Sequence, residues 1–211
     1  MNRSVANMPP DLRPGPDSPP TDELQSAEAC LGVLQQVLHI VAGDDKTKQT
    51  PCSEYNVKEL TGHLLSSITA LGGMVGAEFS VRDDTDSVES LVIATARPAL
   101  DAWHRHGLEG EVSLGAGSMP ARVAVSVFSI EFLVHAWDYA VAVGHDINTP
   151  DSLSEYVLAL AHTIIKPHER AAAGFDAPID MSDNAGPLDR LVAFTGRNPG
   201  DAYSRRPSPR T

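Results

Sequence analysis

Glu131, His135 and Asp138 are polar side chains inside a stretch, residues 129–144 (SIEFLVHAWDYAVAVG), that is otherwise almost wholly apolar. An α-helix turns about 100° and rises about 1.5 Å per residue. Glu131 and His135, four positions apart, therefore fall on one face as neighbours about 6 Å apart along the axis. Asp138, three further on, extends the same stripe. A carboxylate and an imidazole inside an apolar helix are costly to bury unless something pairs with them. Two kinds of partner meet that need. One is a hydrogen-bond network that seals a polar spot in the core; the other is a metal ion completed by a ligand from elsewhere in the chain.

His63 is the candidate for that further ligand. It lies beside the apolar stripe Val57, Leu60, Leu64, Ile68 and Leu71, one residue before Leu64 and three after Leu60. Two imidazoles and one carboxylate with open coordination positions form a usual catalytic zinc set and also suit other first-row metals. Asp138 then fits better behind His135, orienting the ring, than as a fourth ligand. On its own a histidine at such a place is more often a hydrogen-bonded core residue than a ligand, so both readings stand at this point.

The elements that must position these residues are helical. Thr21 opens a first helix with Asp22 and Glu23 at the positive end of its dipole, and Leu24, Ala27, Leu31, Leu34, Leu38 and Val41 recur at helical spacing to about Gly43. Asn56 with Glu59 three residues on predicts a capping box for a second helix, to about Phe79. Ser87 with Ser90 begins a third, with Pro98 as a kink or break. Residues 111–120 (EVSLGAGSMP) read as an irregular hairpin or loop, residues 121–144 as one long buried helix stopped by Gly144, and residues 151–173 as a helix bent or split at Pro167. A short last helix lies within PLDRLVAFTGRNP. No repeat and no convincing strand alternation is present. The pattern predicts an all-α antiparallel four-helix bundle over residues 21–199, between a disordered Pro-rich leader (1–20) and a disordered tail (200–211).

Composition removes several function classes. The 211-residue chain carries a net charge of −12, with a pI near 4.9, which lacks the basic footprint of a duplex nucleic-acid binder. Apolar runs are interrupted before the length of a membrane span, and the N-terminus lacks a basic-then-apolar signal pattern. The expectation is a soluble cytoplasmic protein. Cys30 and Cys52 make neither a disulfide framework nor a CxxC motif; Cys30 falls in an apolar helical pattern and Cys52 in a loop. His104 and His106, two apart, and His162 and His168, six apart, do not share helix faces well. A homodimer is compatible with the pattern, which singles out no dimer face.

The segments PCSEYNVKELTGHLL, SMPARVAVSVFSIEFLVHAWDYAVAVG and PLDRLVAFTGRNP together resemble the actinobacterial DinB-like metal-binding proteins. More narrowly, they resemble the metal-binding domain of mycothiol-dependent maleylpyruvate isomerase. The resemblance implies a four-helix bundle with a divalent metal held by His63, Glu131 and His135. Other members of the DinB-like group use three histidines, so Glu131 is nearer the isomerase branch. Tyr55 stands where such proteins commonly carry Trp, and the isomerase has an additional C-terminal domain that the resembling region does not include. The resemblance also implies a metal- and thiol-dependent S-transferase or isomerase-like enzyme. Such an enzyme would use zinc (nickel and manganese being alternatives) with mycothiol or a similar low-molecular-weight thiol as cosubstrate and an electrophilic small molecule as substrate. The competing expectations are a non-catalytic metal or small-ligand binding stress-response protein, and a hydrolase in which the metal activates water.

Overall fold

The computed structural model describes residues 15, 17–81, 86–115, 117–171, 174–182 and 184–204. Most of the expected leader (1–14 and 16) and residues 205–211 of the expected tail lie outside these. Within them the protein is mostly helical with one small hairpin: α1 (Glu23–Leu38), a 3-10 turn (Gly43–Thr47), α2 (Val57–Gly73), α3 (Val88–His106), β1 (Glu111–Leu114), β2 (Gly117–Pro120), α4 (Ala121–Val143), α5 (Asp151–Ile164), α6 (Pro187–Phe194) and α7 (Gly200–Ser204).

Local chemistry sets the helix ends. Asp22 caps α1 by accepting from the Gln25 N–H. The Asn56 side chain accepts from the Glu59 N–H while the Glu59 carboxylate accepts from the Asn56 N–H, which is the reciprocal box the sequence indicates for α2. That helix stops at Gly73, short of the expected Phe79. Gly76 adopts φ +74°, and the N–H groups of Gly76 and Ala77 return to the carbonyls of Gly73 and Gly72. This glycine-closed turn uses up carbonyls that a longer helix would need. α3 runs unbroken through Pro98. α5 ends at Ile164, three residues before Pro167, rather than reaching residue 173. The region read as a hairpin or loop is an antiparallel hairpin pairing Glu111 with Pro120 and Leu114 with Gly117, and the Ala121 N–H donates to the Gly110 carbonyl, so the hairpin leads straight into α4.

α4 is the axis of the fold. Nearly all of its residues are buried, whichever way they face, so it has no polar stripe. It packs against α1, α2, α5, α6 and the hairpin. By length and composition it would suffice to cross a membrane, but 83% of its most apolar window is buried inside the protein. Glu131 and Asp138 interrupt its apolar run, as the sequence indicates, and it serves as a core helix. Trp103 on α3 and Phe128 and Phe132 on α4 are fully buried, each phenylalanine contributing about 1.5–3 kcal/mol by leaving water. Several polar groups in this core are paired: Ser129 Oγ donates to Ser26 Oγ (2.9 Å), Trp103 Nε1 donates to the Leu71 carbonyl (3.1 Å), and the Thr61 and Tyr139 hydroxyls lie 2.9 Å apart.

Candidate metal centre

The second and fourth helices bring together the three residues singled out from sequence. His63 on α2 and Glu131 and His135 on α4 offer ligand atoms that all lie within 4.8 Å of one another. Glu131 Oε2 is 3.4 Å from His63 Nε2 and 3.5 Å from His135 Nε2. Neither contact is a hydrogen bond, and Glu131 Oε2 is buried with no hydrogen-bond partner. Metal–ligand bonds of about 2.0–2.2 Å in a tetrahedral set place neighbouring donors about 3.3 Å apart. The carboxylate-to-imidazole separations therefore match a shared divalent ion better than they match direct hydrogen bonding. A hard oxygen with two imidazole nitrogens is also an apt donor set for such an ion.

The two histidines are held differently. His135 is buried, and its Nδ1 lies 2.9 Å from Asp138 Oδ2. A carboxylate only accepts, so Nδ1 carries the proton and Nε2 is directed at Glu131. His63 keeps 34% of its side-chain surface exposed. Its ring stacks on Tyr55 (centroids 5.1 Å apart, planes at 23°) and meets His135 edge to face at 5.3 Å. Tyr55 thus forms a wall of the site beside its more open histidine.

Electrostatics follow from this packing. Burial of Glu131 opposes its charge, but His135 and His63 outweigh it and hold the carboxyl well below the usual range. Burial likewise opposes an imidazolium at His135, yet Asp138 and Glu131 raise its pKa from 6.5 to about 9. The metal-free site therefore keeps His135 doubly protonated at neutral pH, with the second proton on Nε2 facing Glu131. Asp138 is fully buried; against the burial, the charge of Arg197 and the bond from His135 lower its pKa.

Arg197 is a residue of this site that the sequence does not single out. Its Nη2 donates to Asp138 Oδ2 at 3.1 Å, its Nε lies 3.4 Å from Asp138 Oδ1, and its Nη1 donates to the Thr195 carbonyl at 2.9 Å. The available signal is a charged residue straight after the helix-stopping glycine in FTGRNP. Cys52 is half-buried in the loop before α2; burial raises its thiol pKa, and the Arg197 charge pulls it the other way. Cys30 is buried in the core, where burial pushes its thiol up to about 12. The remaining candidate histidines lie elsewhere. His104 pairs with Glu28, His106 meets the Trp103 ring edge, His162 packs on Phe194 and His168 sits beside Glu169.

No family model and no solved structure matches this chain. It is similar to two uncharacterized proteins of Mycobacterium tuberculosis, one from strain CDC 1551 / Oshkosh and one from strain H37Rv. Each is 25% identical over 178 residues, spanning 83% of this chain and 98% of the relative.

Proposed function

We propose that this protein is a divalent-metal enzyme of the DinB-like four-helix type, acting with a low-molecular-weight thiol such as mycothiol on an electrophilic small molecule. The observation that carries the metal reading is the buried Glu131 Oε2, which has no hydrogen-bond partner yet stands 3.4–3.5 Å from two imidazole nitrogens. The thiol chemistry rests on the resemblance of three segments, around His63, around Glu131 and His135, and around Arg197, to the mycothiol-dependent isomerase domain; the similarity to mycobacterial proteins is compatible with it. The net charge of −12 disfavours nucleic-acid partners, and a small-molecule substrate met in the cytoplasm is part of the proposal.

In this reading His63, Glu131 and His135 hold the ion, zinc being the first choice for the donor set. A bound divalent ion favours the thiolate, the nucleophilic form of an incoming thiol, at neutral pH. Asp138 keeps the Nδ1 proton of His135 in place, so that Nε2 presents its lone pair. The buried side of the site, formed by α4, excludes water. The exposed face of His63 and the Tyr55 ring leave the side from which small molecules approach.

The first test is metal content by mass spectrometry, wild type beside His63→Ala/His135→Ala. Near one equivalent in the wild type, absent from a folded double variant, supports the centre; no metal in either after reconstitution with zinc, nickel and manganese ends the reading. A conjugation assay with and without thiol then separates the chemistries. Thiol-dependent turnover supports the proposal, turnover without thiol identifies a hydrolase, and metal uptake without turnover identifies a binding protein.

A further inference from the structure

Arg197 has an unusual position for a guanidinium. It is only 6% exposed in a strongly acidic protein, and it is directed inward at a carboxylate that is itself fully buried. The turn that places it is specific. After α6, the Gly196 and Arg197 N–H groups return to the carbonyls of Ala193 and Val192. This is a glycine-closed helix end in which the residue following the glycine is thrown back across the last turn. Gly196 adopts φ +89°, and a Cβ there would lie 2.6 Å from the Asp176 Cβ. Both the backbone conformation and the close approach therefore require glycine.

From that turn Arg197 reaches α4. Asp138 Oδ2 receives the Arg197 Nη2–H at 3.1 Å and the His135 Nδ1–H at 2.9 Å, so one carboxylate oxygen joins the two residues. The third arm of the guanidinium, Nη1, is tied to the Thr195 carbonyl of its own turn. The result is a continuous polar chain from the end of α6 through Arg197 and Asp138 to His135 and the edge of the candidate centre. Because the acceptor atom is shared, a shift of the guanidinium is felt by the carboxylate that holds the histidine ring.

We propose that Arg197 is a positioning residue of the metal centre, and that through it metal occupancy and docking of the C-terminal segment, residues 187–204, are coupled. This rests on His63, Glu131 and His135 holding a metal. Arg197 fixes the Asp138 carboxylate, Asp138 fixes the His135 ring, and the aim of Nε2 is set from outside the four long helices. Reciprocally, a metal that fixes His135 strengthens the hold of Asp138 on Arg197 and so on the α6 turn, since coupling between two sites runs both ways.

The test uses the full chain. Zinc affinity is measured by competition with a chromophoric chelator for wild type, R197M, R197K and G196A, with circular dichroism of each variant. Amide hydrogen exchange of residues 187–204 is followed with and without zinc. Residues that orient a metal-binding histidine typically change affinity 10- to 100-fold when lost, so R197M is expected to bind zinc 10- to 100-fold more weakly. R197K, which keeps the charge without the two-pronged geometry, is expected to fall in between. G196A leaves Arg197 present but displaces its turn, and a loss of affinity is expected there too. Zinc should slow exchange across 187–204 in wild type and lose that effect in R197M. Affinity of folded R197M within twofold of wild type, or zinc-dependent protection that persists in it, overturns the proposal. Should R197M fail to fold, R197K decides, and wild-type affinity in that variant overturns the proposal. A wild type that takes up no zinc removes the metal reading and this inference with it, an outcome distinct from a wild type that binds zinc regardless of residue 197.

Discussion

A buried imidazole that keeps its proton makes metal-free stability depend on pH in a direction that can be worked out beforehand. The perturbation is a rise from pH 6.5 to 8.5 with chelator present. His135 has its pKa raised from 6.5 to about 9 in the folded protein, so the native state retains a proton that the unfolded chain has lost across this range. The stabilisation is complete below pH 6.5 and disappears as pH rises through 9. The whole shift corresponds to roughly 3 kcal/mol, of which about 2 kcal/mol falls between pH 6.5 and 8.5. For a protein of this size that is a drop in Tm of about 4–8 °C. Glu131, shifted downward, contributes no slope here because it is ionised in both states. Thermal melts by circular dichroism at several pH values, wild type beside His135→Asn, isolate the effect, because other titrating groups contribute to both proteins. With saturating zinc the native state no longer holds this proton, so the His135 slope vanishes. A wild type no steeper than His135→Asn, or a slope unchanged by zinc, refutes the assignment.

Three further outcomes are expected. Glu131→Gln keeps the shape but loses the charge of the proposed central ligand; zinc affinity by calorimetry should fall by more than the roughly 10- to 100-fold cost of losing an orienting neighbour, and an affinity change under tenfold argues against ligation. Trp103→Ala empties a fully buried site and removes the donor to the Leu71 carbonyl, so urea denaturation should show a loss of about 3–5 kcal/mol. Gly72→Ala places a Cβ 2.8 Å from that of Ala99 and 2.9 Å from Phe79 Cζ; the α2–α3 crossing should lose about 1–3 kcal/mol in the same assay, and an unchanged midpoint shows that the crossing can open.

Whatever depends on local pattern is legible in the sequence. The Asn56–Glu59 box, the Gly144 stop and the long buried α4 follow from side-chain chemistry within a few residues. The i,i+4 pair of Glu131 and His135 needs only helix geometry. Whether His63 faces this pair is open from sequence, because only the packing of α2 against α4 decides it, and the structure does bring the three together. The end of α2 is misleading in the sequence because its apolar stripe continues past Gly73, whereas the glycine turn at Gly76 closes the helix on its own carbonyls. Arg197 falls within a resembling segment but carries no role there. Its partner lies 59 positions earlier in the chain, and no periodicity connects a post-helical turn with the middle of another helix.

The unequal holding of the two histidines carries a kinetic consequence. His135 is braced from behind and enclosed, whereas His63 leans on one aromatic ring with a third of its surface in water. Ions that enter or leave such a centre do so by stepwise exchange, one bond at a time, and the bond that opens first is the one whose ligand can swing away. If the centre holds a metal as proposed, His63 would be that gatepost: an incoming ion would meet it first, and a chelator pulling an ion out would detach it first. Exchange rates should therefore follow the size and stiffness of the side chain at position 55, while equilibrium affinity follows the braced side of the pair.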